Sequence, residues 1–297
     1  MPAHAPSSAA ARLRRASRWR ATRLRVALAA CCVAALAGTT WRVSAQTLPD
    51  SVPPAAPPVV PPAAATAPDG EAARVAVPFG PGERMTYDVK FGVLRVGSGS
   101  MSVEGVESIR GREAYHTVLR VRGGTLFYKV DDRFESWFAT SDLSSLRFVQ
   151  DQREGRRERE RRYEIFPERT TYRQGDEPEQ PSVPNPLDDG SFIYYIRTLP
   201  LRPGDTYELN RYFRPDRNPV RIRVVRRERI SVPAGTFNAI VVQPSIRTRG
   251  IFSEGGRAEI WFSDDDDRVM LQMKSQLSFG SLNLYLKSRQ TGRRLAP

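Results

Sequence analysis

From residue 85 onward, apolar and polar positions alternate with a period of two along much of the chain. Met85, Tyr87, Val89 and Phe91 fall in one phase, and Thr86, Asp88 and Lys90 in the other. Val220, Ile222 and Val224 alternate with Arg221 and Arg223. Val269, Leu271, Met273, Ser275 and Leu277 alternate with Met270, Gln272, Lys274 and Gln276, and the pattern returns as Leu282, Leu284 and Leu286 against Asn283, Tyr285 and Lys287. A strand sends successive side chains to opposite faces, so this rhythm predicts strands with one dry and one wet face. Such strands belong to antiparallel sheets, because parallel strands are covered on both sides and read as unbroken apolar runs. Turn chemistry separates the runs at Gly80-Pro81-Gly82, Gly111, Gly123-Gly124, Gly175, Pro233-Ala234-Gly235, Gly255-Gly256, Asp264–Asp267 and Gly280. The expected fold is all-β with a minor α component: an antiparallel β-barrel, half-barrel or curved sheet carrying one short amphipathic helix.

Three segments depart from plain alternation. Val96 to Val103 contains Gly97, Ser98, Gly99 and Ser100, a weak strand unless it bends sharply or another backbone comes close. It does not read as a phosphate loop, since neither the lysine-bearing continuation nor a helix follows. Asp188 to Leu199 predicts a helix, with Phe192, Tyr195, Ile196 and Leu199 on one face, Asp188 and Asp189 at its start and Pro200 at its end. That apolar stripe would plug the sheet or wall a ligand cavity. Arg153 to Arg162 reads as a hairpin tip around Gly155 with alternating charge, the signature of a protected edge. Its arginines, Arg153, Arg156, Arg157, Arg159, Arg161 and Arg162, form the candidate contact with a partner or an anionic surface.

Composition adds an address. Residues 1–45 hold eight arginines and no acid, leaving 38 cations against 33 acids elsewhere, so the formal +13 shrinks to +5 outside them. Seven of those arginines lie between Arg12 and Arg25, ahead of the apolar run Val26 to Gly38. Thirteen residues are too few to cross a bilayer as a helix, which takes about 20. The pattern predicts a signal peptide over 1–45, cleaved near Ala45 after Val43-Ser44-Ala45. Leu28-Ala29-Ala30-Cys31 offers lipidation at Cys31 as a minor alternative. Eight prolines between Pro49 and Pro68 predict an extended spacer over 46–76, ahead of a single β domain over 77–297. The expected location is the periplasm or the outer envelope.

The same composition excludes much chemistry. Cys31, Cys32 and His4 all lie in the leader, so the remaining chain has no disulfide and one imidazole, His116. Cysteine catalysis, zinc fingers and iron–sulfur clusters are ruled out, and no cofactor is expected. His116 sits in a strand pattern and reads as a hydrogen-bonded structural residue. Asp264, Asp265, Asp266 and Asp267 are a weak candidate for a divalent cation but fit an exposed turn better, because a calcium loop needs alternating ligands and a glutamate where Ser275 stands. Asp131, Asp132 and Glu135 are the first guess for any carboxylate pair, although nothing selects them for hydrolysis. Nucleic acid is not an expected partner, since acids interleave with the arginines. The cations on the wet strand faces also argue against a membrane-spanning barrel.

Several of these residues together resemble a bacterial exported family, domain of unknown function 3108. They are Gly82-Glu83 with Tyr87 and Val89, Gly97-Ser98-Gly99, Leu187 to Asp205, Val232 to Ala239, and Glu259 to Leu286 with Trp261, Asp267-Arg268 and Gly280. The resemblance covers roughly 79–290. It implies a β-rich envelope domain and supplies no activity, cofactor or catalytic residue. Where the family tends to place proline soon after the turn arginine, Val269-Met270-Leu271 stand here, which bears on the start of that strand. The expected function is a noncatalytic, monomeric binding module for an apolar or amphipathic envelope ligand, such as a lipid, held between the sheet and the Phe192–Leu199 helix. Membrane association would be peripheral at most. The alternatives are an interaction protein with a filled interior that uses the charged hairpin, and, more remotely, a carboxylate hydrolase.

Overall fold

The structure is a computed structural model that describes residues 73–125, 128–246, 257–277 and 280–296. The predicted leader, its cleavage site and nearly all of the proline-rich spacer lie outside the described residues. The first backbone bond to the sheet runs from Val75 N to Thr140 O at 2.8 Å, and Val77 and Phe79 are already in the core.

Strands β1 (Arg84–Phe91), β2 (Leu94–Ile109), β3 (Arg112–Thr125), β4 (Tyr128–Ala139), β5 (Ser145–Glu154), β6 (Arg157–Phe166), β7 (Thr171–Gln174) and β8 (Gln180–Pro181) form one run. Helix α1 (Asp189–Ile196) follows, and then β9 (Thr206–Leu209), β10 (Val220–Val232), β11 (Gly235–Ser245), β12 (Arg257–Ser263), β13 (Met270–Leu277) and β14 (Gly280–Gln290). All fourteen belong to one antiparallel sheet, in the order β8 through β1 and then β14 back to β9. The strands that begin and end the chain therefore pair in the middle of the sheet, with Tyr87 opposite Leu286 and Val89 opposite Leu284.

Register shifts at Thr86/Tyr87, Val103/Gly105, Trp137/Phe138 and Val224/Arg226 bend the sheet. The sheet remains open between β8 and β9, where a short seam brings its ends together. Leu187 bridges Tyr212 in parallel, with Leu187 N to Arg211 O at 2.5 Å and Phe213 N to Leu187 O at 2.9 Å. The predicted curved antiparallel sheet is therefore what forms. Gly97 and Gly123 face each other across β2 and β3, and a Cβ on Gly97 would lie 2.1 Å from Arg122 O. The expected close backbone approach at Gly97 is present. Gly123-Gly124, expected as a turn, instead continue β3.

One end of the curve is closed by α1. Asp188 is its N-cap, accepting from Gly190 N at 2.7 Å and Ser191 N at 3.0 Å, while Ser191 Oγ accepts from Asp188 N to complete a capping box. Tyr194 lies edge-on to Phe79, ring centres 4.9 Å apart, and Phe79 in turn meets Tyr115 at 5.4 Å. Just past the helix, Arg197 grips Glu83 bidentately at 2.6 and 2.7 Å and donates to Asp267 O at 2.8 Å. Burial alone would lower the Arg197 guanidinium, but the bond to Glu83 and the charge of Glu83, with Tyr194 and Tyr87 nearby, together outweigh it and raise it. Removing one partner of such a buried pair costs about 3–5 kcal/mol.

Candidate functional site

The hairpin turns at Gly92 and Gly155 lie at the end of the sheet opposite α1. Close to this end the concave face holds a shallow, open recess. Val89, Val96, Val121, Val130 and Leu282 line it, and Gly97 and Gly123 form part of its floor. The glycine pair lets β2 and β3 approach closely here, since a Cβ at Gly97 would lie 2.1 Å from Arg122 O and one at Gly123 2.4 Å from Val96 O. Beyond the recess, Val93 and Leu94 at the β1–β2 turn are 90% and 67% exposed.

The concave face changes character on β4, β5 and β6. Phe148 and Tyr163 are core residues, so period two places Gln150, Gln152 and Glu154 in the same phase on β5, and Arg161, Arg159 and Arg157 on β6. The register sets Asp132, Gln152 and Arg159 in one row and Val130, Glu154 and Arg157 in the next. Asp132, Gln150, Gln152 and Glu154 are all buried. Burial raises the Glu154 carboxyl, which lies beside Asp132 and near Arg159 and Arg157. Burial lowers the Arg161 guanidinium, and the neighbouring cations Arg159, Arg214 and Arg217 push it the same way. Gln150 Nε2 reaches Asp189 at 3.4 Å, Tyr212 OH donates to Asp189 at 2.7 Å, and Arg217 donates to Tyr212 OH at 3.1 Å. Burial raises the Asp189 carboxyl against the bond from Tyr212. Apolar recess and polar sector meet where Val121 faces Asp132.

The sequence-predicted residues distribute differently. Phe192 and Ile196 are buried core, together with Ile193 and Tyr194, while Tyr195 and Leu199 pack partly buried at its margin. Arg211 lies over the Tyr195 ring at 4.6 Å. The helix thus packs as a plug, and the recess lies at the other end. The arginine run forms the expected hairpin, but it is not an edge: β5 and β6 lie between β4 and β7. Its residues also split by face. Arg153 and Arg162 point outward, pairing with Asp151 and Glu160, and Arg156 is in the turn, whereas Arg157, Arg159 and Arg161 line the concave side.

The carboxylate grouping separates for the same reason. Asp131 takes two 2.8 Å bonds from Arg120 on the outer face, Glu135 accepts from Arg133 and contacts His116 there, and Asp132 alone faces inward. His116 stacks on Trp137 with 4.3 Å between ring centres and contacts Glu107 and Glu135, as expected of a structural histidine. Asp264–Asp267 form a turn whose carboxylates meet Arg227, Arg268 and Arg294. Among the described residues, no group of three or more His, Cys, Asp or Glu side chains is placed to hold a metal ion. The concave polar residues Gln150, Gln152 and Glu154 escaped the sequence reading, although they continue the phase of Phe148.

A solved structure shares the architecture. A crystal structure of a β-barrel-like protein of domain of unknown function DUF1849 from Brucella abortus matches with a TM-score of 0.52 at 13% identity, over 73% of this chain and all of that one. A protein classed as a lipoprotein from Parabacteroides distasonis matches at 0.32 and 13% identity over 72% of this chain and 99% of its own. A Bacteroides fragilis protein with a YmcC-like fold, classed as exported, matches at 0.34 and 12% over 74% and 100%. At these identities the first likeness speaks to fold alone. No protein of curated function matches the sequence. Residues 86–287 match the family described as "Protein of unknown function (DUF3108)", to which this chain belongs.

Proposed function

We propose that this protein is an exported envelope protein that binds an amphipathic ligand without transforming it. The ligand lies on the concave face at the hairpin end, its apolar part in the recess and its polar part against β4–β6. One observation carries the reading: an open apolar recess directly adjoins a polar sector inside a sheet whose concave face is otherwise apolar. Ligand sites are typically concave and mostly apolar, with a few placed polar groups that fix orientation. The basic leader, its apolar run and Ala45 support export. A lipid of the envelope would meet both requirements, with the protein touching a membrane peripherally while loading.

Native mass spectrometry of protein purified without detergent tests this reading. The expected result is a copurifying amphiphile of defined mass, lost in Leu282→Trp and Val121→Trp, which fill the recess. A clean apo mass for the parent protein, with no uptake of added fatty acid or phospholipid, would sink it.

A further inference from the structure

We propose that the polar sector is a head-group site for an anionic amphiphile whose head also carries hydroxyls, an inference that rests on the binding reading above. Arg157, Arg159 and Arg161 share the concave face of β6, and Arg214 and Arg217 approach Arg161 from the segment before β10. Five guanidiniums thus gather against two buried carboxyls, Asp132 and Glu154, and the half-buried Asp189, with the exposed Asp216 beside Arg214. Five guanidiniums against these four carboxyls leave the cluster a formal excess of one positive charge. Arg157 and Arg159 are exposed at the mouth, where an incoming anion first meets them. Guanidinium forks suit phosphate and carboxylate oxygens, and in a half-enclosed site such charge-assisted bonds are roughly twice as strong as neutral ones.

A second observation specifies the hydroxyls. Gln150 Oε1 and Glu154 Oε1 are buried acceptors without a hydrogen-bond partner. Orphaned buried polar atoms are rare, and each calls for an explanation. Acceptors flanking a cluster of cations would go unmet by a bare anion but are met by a head group that offers O–H donors beside its negative oxygens. The recess borders this sector at Val130, in the same row as Glu154 and Arg157, so a chain and its head group would occupy neighbouring strands of one sheet.

The test uses the full chain as purified from the cells that make it and calorimetric titration with soluble short-chain lipids below their micelle concentration. Dihexanoylphosphatidylglycerol should bind at least about tenfold more tightly than dihexanoylphosphatidylcholine, the factor expected from a charge-assisted hydrogen bond. Dihexanoylphosphatidylmethanol, anionic but without hydroxyls, should fall between them. Arg159→Gln, at an exposed position, should bring the glycerol lipid down towards the choline lipid and leave the latter unchanged, while Arg159→Lys should retain part of the preference. Equal binding of the glycerol and choline lipids would overturn the head-group site and leave the binding reading intact. Equal binding of the methanol and glycerol lipids would overturn the hydroxyl requirement. Glycerol phosphate binding as tightly as the glycerol lipid would make this a site for a free soluble anion and overturn the amphiphile. If no lipid binds, the function proposed above fails as well.

Discussion

Asp188 shows how one side chain serves the helix at a cost that depends on pH. It is fully buried, and Ser136 Oγ donates to it at 2.6 Å in addition to the two helix amides. Burial nevertheless outweighs these bonds and pushes its carboxyl up to about 6. A carboxyl raised in the folded state binds its proton more tightly there than in the unfolded chain. Its stabilising contribution is therefore complete below about pH 4 and is lost as pH rises through about 6, a change of about 3 kcal/mol. Asp188→Asn keeps an acceptor for the cap and removes the titration. Urea unfolding from pH 4 to 7 should show a stability decline in the parent protein that is reduced in this variant, and an unchanged decline would refute the assignment to Asp188. The capping role was legible from Asp188 and Asp189 ahead of an amphipathic stripe. Its burial was not, because that depends on Ser136 of a strand more than fifty residues away meeting the helix start.

At the level of elements, alternation located the strands well wherever one face was apolar, as in β1, β10 and β14. It was weakest where the concave face turned polar. Arg157–Arg162 has no apolar phase to follow, so its division into inward and outward arginines appears only through the pairing of Arg161 with Gln150 and Tyr163 with Phe148. Asp131, Asp132 and Glu135 looked like one acidic group in the sequence, and a period of two sends Asp132 to the opposite face from the others. Glycine within strands was more informative. On β2, a Cβ at Gly97 would meet Arg122 O at 2.1 Å, whereas at Gly99 the nearest atom is Arg120 O at 3.6 Å, ordinary contact. Gly97→Ala should destabilise the protein by about 1–3 kcal/mol through forced strand separation. Gly99→Ala should be neutral or stabilising by up to about 1 kcal/mol, since alanine restricts the unfolded chain. Thermal or denaturant melting of the two variants checks this, and equal destabilisation would show that the β2–β3 spacing is not set at Gly97.

Across the whole molecule, the order of strands could not be read from local pattern, because periodicity reports faces and not neighbours. The sheet is an up-and-down meander whose sequence has been cut between β14 and β1, at its centre, and opened at the β8–β9 seam. The ends of the folded part are already adjacent there: Arg293 N donates to Pro81 O at 2.9 Å. A circular permutant that joins the two ends of the folded part and opens in the exposed Arg202–Gly204 turn would make every strand neighbour consecutive. It should keep the same circular dichroism spectrum and refold faster in stopped-flow experiments, because shorter loops close before pairing is rewarded. Slower refolding would mean that the β1–β14 pairing is not the late step. For the natural chain, the same central pairing defers completion of the sheet until β14 has been made. Until Gly280–Gln290 leaves the ribosome, β1 has no second neighbour and the two arms of the sheet have nothing to join them. A polypeptide built this way can fold its two arms separately, and it acquires the joined sheet only once β14 has arrived between them.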